Sequence, residues 1–366
     1  MTDDITVHAD HLSALVARLF AAAGIPDRAA RTAADALVEA DLEGVSSHGV
    51  MLVDMYLDRI RNGSVSKEEA GVIVSDRGAA VVLDARHALG QLTGDQAIKI
   101  AVERARSHGV GIVTVRHGFH FGTARRYAIQ AAHADCIGIT MCNTRPLMPA
   151  PGGAERLVGN NPIAIAVPTN GAIPIVLDMA TSEAAMGKIR MAEKAGQAIP
   201  ETWAVRSDGS ATTSPSEAIA GMLLPSGGPK GFGLAFLIDL MCGLLSGGAS
   251  GGAVQPLYGD AAIPYDSSHL FIAVDIAHFG DPAVIRVAAA TAADRIRQGK
   301  RAPGVSQLFA PGEPEWRRHE AAAGAVRVSP AVAEMLIRMA RQLGVSAMPL
   351  ARDEAPCSCP GRESQT

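Results

Sequence analysis

The segment GIVTVRHGFHFGTARRYAIQAAHADCIGITM, residues 111–141, decides the fold class. Its first five residues form an apolar, β-branched run that predicts a buried strand. Residues 124–134 predict a helix, and residues 137–141 predict a second strand. Strand–helix–strand alternation is typical of an α/β layer. We therefore expect an α/β fold built around this segment.

The rest of the chain predicts the same class of fold. The Gly/Pro loop 225–231 leads into an apolar helix that ends at Leu245 and that we expect to be buried. Strands are predicted at residues 73–84 (a pair about the turn 76–78), 163–168, 173–177 and 269–275, and a polar hairpin at 203–210. Helices are predicted at residues 11–23, 29–41, 48–61, 91–108, 284–297 and 329–343.

Composition and charge exclude several classes of function. The 366 residues include 33 Lys and Arg against 37 Asp and Glu, a formal charge of −4 without a basic stripe, so nucleic acid is not expected as a partner. The start MTDDITVHAD lacks the basic and apolar regions of a signal peptide, which favours the cytoplasm. The apolar stretch 233–245 contains Asp239 and is too short to span a bilayer, so no membrane is expected.

The cysteines predict neither disulfides nor a metal site. There are five, an odd number without a regular framework, which argues against a secreted disulfide scaffold. Cys357 and Cys359 lie in the tail 351–366, which lacks apolar periodicity and is predicted to be disordered. One Cys-x-Cys pair supplies only two ligands, so we expect no metal there.

The usual nucleotide-binding motifs are absent from the sequence. The glycine-rich stretch 247–252 follows a helix and precedes a loop, which is the wrong context for a Rossmann fingerprint. The stretch 227–231 has Lys230 but lacks the Ser or Thr that follows lysine in a phosphate-binding loop. An ordinary Rossmann enzyme and a P-loop NTPase are therefore disfavoured.

Two histidine-containing stretches could carry acid–base chemistry. Ser46-Ser47-His48-Gly49 reads as a serine cap followed by a histidine in the first helical turn, where the helix dipole disfavours the imidazolium form. A neutral histidine near pH 7 suits proton exchange with a hydroxyl or carbonyl. His120 lies in a glycine-containing loop directly after a strand, where α/β proteins bind ligands. The alternatives are a surface histidine beside an ordinary cap, and a loop histidine bound to backbone.

Four further stretches could bind a ligand. Asn160, in GNNP (159–162), offers amide donors and acceptors, although such clusters are more often turns. Residues 177–182 combine small side chains and hydroxyls that suit phosphate or ribose, or else a capped helix start. Lys230 opens an apolar helix and could bind pyrophosphate, or be an exposed loop lysine. Residues 311–314, PGEP, predict a rigid turn.

The order of these stretches resembles one enzyme family. ADLEGVSSHGV (40–50), HFG (120–122), GNNP (159–162), DMATS (178–182), GKI (187–189), GPKGFGL (228–234), HLFIA (269–273) and PGE (311–313) are similar to the malate/L-lactate dehydrogenase family. That family also includes L-sulfolactate, ureidoglycolate and 2,3-diketogulonate oxidoreductases and piperideine-2-carboxylate reductases. The resemblance covers residues 10–340.

The resemblance implies a non-Rossmann α/β fold and a homodimer with its active site near the subunit interface. It implies a helix-rich domain of residues 1–115 and 285–350 and an NAD(P)-binding α/β domain of residues 116–284. His48 matches the proton donor, Ser47 the serine that supports it, and His120 a second histidine near nicotinamide and substrate. We expect Asn160, Lys188 and Arg125 to bind the substrate. The residues that match segments binding NAD or NADP are Gly122, Thr123, Val176, Leu177, Asp178, Met179, Ala180, Thr181, Ser182, Pro229, Lys230, Gly312, Glu313 and Pro314.

Three departures from the family pattern bear on the substrate. Leu52 occupies a position where many members have an arginine that pairs with the substrate carboxylate. Either another arginine substitutes, with Arg125 and Arg126 as candidates, or the substrate is unusual. Lys188 replaces the aspartate of the cyclic-imine reductases, and Phe119 makes the loop before His120 more apolar. We expect hydride transfer between nicotinamide and a 2-hydroxy or 2-oxo acid. The alternatives are a cyclic ketimine (piperideine- or pyrroline-2-carboxylate) reductase and a catalytically inactive member of the family.

Overall fold

The computed structural model describes residues 4–348 and residue 350. The strands are β1 (Ile5–His8), β2 (Val72–Arg77), β3 (Ala80–Asp84), β4 (Val110–Gly118), β5 (Cys136–Cys142), β6 (Ile163–Val167), β7 (Ile175–Met179), β8 (Ala204–Val205), β9 (Met222–Leu223), β10 (Ser267–Asp275) and β11 (Ala325–Val328). The helices are α1 (Ala9–Ala22), α2 (Asp27–Leu42), α3 (Val53–Arg61), α4 (Gly90–His108), α5 (Arg125–His133), α6 (Met186–Lys194), α7 (Pro215–Ala220), α8 (Pro229–Ser246), α9 (Pro282–Arg297), α10 (Glu313–Ala322) and α11 (Pro330–Leu343). The predicted disordered tail lies outside the described residues.

A seven-stranded sheet organises the molecule, in the order β2-β3-β4-β10-β5-β6-β7. The α/β class predicted from residues 111–141 is confirmed, but β4 and β5 are not neighbours. Strand β10 lies between them and pairs antiparallel with both, so that Ile272 is opposite Ile112 on one side and Ile139 on the other. Among the described strands, β3 and β4 form the one parallel pair.

The strand directions gather several loops at one edge of the sheet. Strands β4, β5 and β7 run in one direction, and β6 and β10 run in the other. The carboxyl ends of β4, β5 and β7 therefore meet the amino ends of β6 and β10. The loops that carry His120, Arg145 and Asn160 lie at this edge, which we call the site edge, and Asp178 lies in β7 next to its carboxyl end.

Helices cover both faces of the sheet, and alternate side chains along each strand pack against opposite faces. Val113, Val115 and Phe271 pack with α4 and α5, whereas Ile112 and Leu270 pack with α8. This alternation is what the two-residue period of a strand requires.

Helix α8 differs from the expectation of a buried helix. Ile238 and Cys242 pack on the sheet, but Leu237 is 56% exposed and Leu244 67% exposed. We call the exposed side the α8 outer face; it consists of Leu234, Phe236, Leu237, Leu244 and Leu245. The helix is also longer than the apolar stretch 233–245, and by length and composition alone it could cross a membrane. Its contacts with β10, β4 and β5 place its other side on the sheet.

A second core joins both ends of the described chain. Helices α1, α2, α3 and α11 share one apolar cluster, and β1 pairs with β11. The sequence patterns missed β1, β11 and three short helices, including α10, which begins where only a turn was expected. The predicted domain boundary between residues 115 and 116 falls inside β4, and the division into two domains stays a prediction.

Candidate active site

His48 lies in a tight turn before α3. The sequence predicted a helix from residue 48, but Ser46–His48 and Val50–Leu52 form two 3-10 turns, and α3 begins only at Val53. Neither turn has a side-chain cap; instead the Ser47 hydroxyl lies 3.0 Å from Nδ1 of His48. Burial lowers the pKa of His48. The expected neutral imidazole is therefore produced by desolvation and not by a helix dipole.

His120 faces His48 across the site. Their rings are stacked with centroids 5.4 Å apart. Burial lowers the pKa of His120 well below its usual range, and His48 and His269 lower it further. Both rings are partly exposed, so a small molecule can reach them.

Tyr56 and Gln91 hold the ring of His120. The Gln91 amide donates to the Tyr56 oxygen at 2.9 Å, and that hydroxyl lies 2.7 Å from Nδ1 of His120 and 3.2 Å from its carbonyl oxygen. Burial raises the pKa of Tyr56, so its hydroxyl keeps its proton. Since Nδ1 is the nearer acceptor, we assign the hydroxyl proton to that bond, which leaves the ring proton of His120 on Nε2.

A third histidine, His269, lies near His120. It is fully buried, stacks on Phe121 with ring centroids 4.6 Å apart, and has its Nε2 2.7 Å from the Ser267 hydroxyl. Burial lowers its pKa to about 3. Its Nδ1 has no hydrogen-bond partner within the described chain. His269 belongs to the family-like segment HLFIA (269–273), and no local pattern predicts a role for it.

Backbone strain concentrates at the site edge. Arg86, His87, His117 and Asp266 are non-glycine residues with positive φ angles, between 51° and 59°. They lie just after β3, at the end of β4 and just before β10. Left-handed backbone at such residues costs of order 1–3 kcal/mol each and tends to cluster at functional sites.

Asn160 and its neighbour Asn161 connect the loops of the site edge through side-chain hydrogen bonds. Thr144 donates its hydroxyl to the side-chain oxygen of Asn160 at 3.1 Å and its N–H to that of Asn161 at 2.8 Å. Asn161 is fully buried and donates to the carbonyl of Ala235 on α8. Asn160 is partly exposed and thus the one of the pair that a ligand can reach.

The two arginines expected to replace the arginine missing at position 52 are already paired. Arg125 is 3% exposed, with Nε 3.3 Å from Glu43 and Nη1 3.9 Å from Glu315. Arg126 pairs with Asp95 and Glu39. This placement argues against Arg125 as a substrate residue. Leu52 itself is 2% exposed and, together with Phe119, belongs to the apolar cluster shared by α1, α2, α3 and α11, which we call the helical core.

Arg145 is a candidate site residue that no sequence pattern predicted. It lies three residues after β5, is half-buried, and has no carboxylate within 4.0 Å among the described residues. Burial lowers its pKa, and Arg156 and Arg190 lower it further, while Tyr265 acts in the opposite sense. The Tyr265 ring in turn meets Phe119, next to His120. An arginine in this state can bind an anion without first breaking an ion pair.

Asn143 anchors the loop that carries Arg145. Its amide donates to Asp239 on α8 at 2.9 Å and to the carbonyl of Ala249 at 2.8 Å, and its side-chain oxygen accepts from the N–H of Ser268 at 2.7 Å. These bonds tie the loop to α8 and β10. The local sequence NTRP (143–146) resembles an ordinary turn, which hides this arrangement.

The predicted cofactor residues form two groups. In the first, the N–H of Val176 donates to the carbonyl of Pro311 at 3.0 Å, and a Cβ on Gly312 would overlap Val176. The Glu313 carboxylate in this group is bound to Arg297 and Arg317. In the second group, the N–H of Ser226 donates to the carbonyl of Thr181, next to the start of α8.

The second group fits an anionic cofactor. The Thr181 hydroxyl is buried without a partner in the described chain. Helix α8 begins after the left-handed glycines Gly227 and Gly228 without a side-chain cap, and Lys230 is exposed in its first turn. Free N–H groups at a long helix start, together with one lysine, favour phosphate. Lys188, the other predicted lysine, is exposed on α6.

A buried charge cluster links the His48 segment to the first cofactor group. Arg125 lies between Glu43 and Glu315 and donates its backbone N–H to Asp178 at 3.3 Å. Burial raises the pKa of Glu43 to about 7 and that of Asp178 to about 6, despite the nearby arginine. Over the described residues, no group of three or more His, Cys, Asp or Glu side chains is arranged to hold a metal ion.

Known proteins share this sequence and fold. The family model "Malate/L-lactate dehydrogenase" matches residues 7–337. The malate dehydrogenase of Pyrococcus abyssi is 36% identical over 317 residues, which cover 84% of this chain and 86% of the relative. The sulfolactate dehydrogenase structure from Methanocaldococcus jannaschii superposes with a TM-score of 0.89 at 33% identity, over 94% of this chain and 98% of that chain.

Other relatives differ in cofactor and chemistry. The ureidoglycolate dehydrogenase (NAD(+)) of Escherichia coli K12 is 33% identical, covering 82% of this chain and 86% of the relative. The (2R)-3-sulfolactate dehydrogenase (NADP(+)) of Chromohalobacter salexigens is 34% identical, covering 77% and 85%. The structure of Δ1-piperideine-2-carboxylate reductase from Pseudomonas syringae has a TM-score of 0.82 at 26% identity, over 92% and 99%.

The relatives and the fold together define an oxidoreductase with the sulfolactate and malate dehydrogenase fold. The chain belongs to the malate/L-lactate dehydrogenase family.

Proposed function

We propose that this protein is an NAD(P)-dependent dehydrogenase that interconverts a 2-hydroxy acid and the corresponding 2-oxo acid. The observation that carries the proposal is the stacked pair His48 and His120, both kept neutral by burial, at the same sheet edge as the unpaired Arg145. This combination supplies a proton acceptor, a hydrogen-bond donor and a carboxylate-binding cation.

His48 exchanges the proton with the substrate oxygen. With Nδ1–H donating to the Ser47 hydroxyl at 3.0 Å, Nε2 is left to accept the hydroxyl proton during oxidation. In the reverse direction the protonated ring returns that proton to the forming hydroxyl. Because burial lowers the pKa of His48, the neutral form is ready near pH 7, and oxidation is expected to remain active at lower pH than with an unburied histidine.

His120 holds the same oxygen without exchanging its proton. Tyr56 occupies Nδ1, so the Nε2–H of His120 donates a hydrogen bond to the substrate oxygen. Arg145 binds the substrate carboxylate, which orients C2 at the histidine pair. A guanidinium suits this role because its planar donors match the two carboxylate oxygens.

The cofactor is NAD or NADP. Lys230 and the start of α8 would bind its pyrophosphate, and the Thr181 hydroxyl and the segments around Val176 and Gly312 would hold the rest. Bound there, the nicotinamide supplies hydride transfer. Relatives named for NAD(+) and for NADP(+) are similarly distant from this chain, which leaves the choice between the two to experiment.

We also propose a homodimer formed through the α8 outer face. Five large apolar side chains project from one side of a helix whose other side is packed. Contiguous exposed apolar surface of this kind marks an interaction site. The face lies on the helix whose first turn carries Lys230, so a second copy would sit beside the cofactor site. The cytoplasmic location stays a prediction from the amino-terminal sequence.

The test follows the oxidation of NADH and of NADPH with a panel of 2-oxo acids (pyruvate, oxaloacetate, sulfopyruvate, larger and aromatic acids) and cyclic imino acids. We expect turnover with 2-oxo acids and a loss of about 10²–10⁴-fold in kcat for His48→Ala. His108→Ala, an exposed histidine at the opposite edge of the sheet, is the matched control.

The outcomes separate the alternatives. Turnover with imino acids alone would make the protein a cyclic ketimine reductase, which the piperideine-2-carboxylate reductase neighbour keeps in view. NAD(P)H binding without turnover on any substrate would identify an inactive family member. Wild-type activity in His48→Ala would remove this residue from the mechanism.

A further inference from the structure

Asp41 lies directly behind the turn that presents His48. It sits in the last turn of α2, and its carboxylate accepts the N–H of Val50 at 2.8 Å. Ser46, at the other end of the five-residue turn 46–50, lowers the pKa of this carboxylate. Asp41 thus lies against a turn that has His48 at its centre, and its hydrogen bond holds the end of the turn at Val50.

Gly49 leaves the space that the Asp41 carboxylate occupies. A Cβ at residue 49 would overlap all three carboxyl atoms of Asp41. The backbone of Gly49 has φ −92° and ψ −157°, a conformation that any residue adopts. Space for the carboxylate, and not backbone freedom, therefore makes glycine necessary here.

Keeping the Asp41 carboxylate at this position costs free energy, because burial disfavours its charged form. Burial raises the pKa of Asp41 to about 6, although the bonds from Val50 and Ser46 oppose the rise. A buried acid is therefore kept where an apolar side chain could fill the same space at lower cost. Its bonds all go to the turn 46–50, and none goes to the helical core.

We propose that Asp41 is the positioning residue of His48. By bonding the N–H of Val50 and packing against Gly49 it fixes the turn, so that the imidazole stacks on His120 with its Nε2 toward the substrate. The inference rests on the proposed function, in which His48 exchanges the proton. It predicts that Asp41 contributes to kcat and hardly to substrate or cofactor binding.

The test is a double-mutant cycle. Asp41→Ala should lower kcat by about 10–100-fold, the scale of a small misplacement of a catalytic group, with KM and the NADH dissociation constant within about twofold. Asp41→Asn keeps an acceptor for Val50 and should recover most of the activity. Gly49→Ala should be damaging in the wild type but add little to Asp41→Ala, since both disturb the same contact. Asp35→Ala is the control: it lies on the same helix, but its carboxylate binds Ser13 on α1.

A second measurement does not depend on turnover. The Cε1–H NMR signal of His48, assigned by its absence in His48→Ala, should move in Asp41→Ala and Gly49→Ala and stay in place in Asp35→Ala. An unmoved signal, or additive losses in the cycle, would overturn the inference. If His48→Ala keeps full activity while the signal moves as expected, the proton-exchange role fails and the positioning by Asp41 stands.

Discussion

Replacing Asp41 by asparagine should stabilise the protein at high pH. Burial raises the pKa of Asp41 in the folded state from its ordinary 3.8 to about 6. Its contribution to stability is therefore fully present below pH 3.8 and is lost as the pH rises through 6, because only the unfolded chain ionises freely in that window. Each pH unit within the window costs the folded state about 1.4 kcal/mol, so the total loss is about 3 kcal/mol. Asparagine cannot ionise and escapes this loss.

The expected signal is a change in melting temperature that depends on pH. Between pH 5 and pH 8 the remaining part of the loss is about 1.4 kcal/mol. Unfolding entropy of about 2.1 cal/mol/K per residue, over 366 residues, converts this to about 2 °C. The Tm of Asp41→Asn minus that of the wild type should therefore grow by about 2 °C from pH 5 to pH 8, measured by calorimetry at fixed protein concentration.

Only the change of this Tm difference with pH tests whether burial opposes the ionisation of Asp41. Any constant offset reflects the exchange of carboxylate for amide against Ser46 and Val50, and Asp35→Asn shows what loss of a carboxylate elsewhere on α2 does. A Tm difference that stays the same or shrinks between pH 5 and pH 8 would refute the argument, because it would mean that burial does not oppose ionisation of Asp41.

Four further substitutions test other parts of the site. Arg145→Ala should lower kcat/KM for the 2-oxo acid roughly 30- to 5000-fold through KM, which corresponds to a loss of about 2–5 kcal/mol in binding free energy; an unchanged KM would show that another group binds the carboxylate. Tyr56→Phe removes the hydroxyl that bonds Nδ1 of His120 and should lower kcat/KM about tenfold. Unchanged kinetics would show that the bond between Tyr56 and His120 does not contribute to catalysis. Lys230→Ala should weaken NADH binding about 5- to 30-fold in a fluorescence titration, and an identical dissociation constant would contradict its assignment. Leu237→Glu should shift the protein to the monomer in sedimentation velocity, whereas Met191→Glu, exposed on α6, should not; a dimer in both would place the interface elsewhere.

Local sequence patterns predicted elements well and their arrangement less well. The strands and helices of residues 111–141 appear where their periodicity placed them. The insertion of β10 between β4 and β5 could not be read from that segment, because its pairing partners are more than 100 residues away. Similarly, hydropathy showed that α8 is apolar, but not that no element among the described residues would cover one of its sides.

Site residues were predictable where the residue type alone suggests chemistry. His48 and His120 were singled out on that basis, and the structure brings them into contact. Arg125 could not be interpreted correctly in this way, because its partners Glu43 and Glu315 come from distant elements and no local pattern shows that its charge is already neutralised. Arg145 was missed for the opposite reason, since its freedom depends on partners that are absent among the described neighbours.

The position of β10 also has a consequence for biosynthesis. Strands β2-β3-β4 and β5-β6-β7 can each pair as the chain emerges, but they join only through β10. Strand β10 begins at Ser267, about 150 residues after β4 ends at Gly118, and at about 5–20 residues per second translation of that interval takes roughly 7–30 s. During this time two open strand edges are available for wrong pairing. His120 belongs to one half and Arg145 to the other, so the nascent chain carries the parts of its active site on two separate pieces until a single late strand unites them.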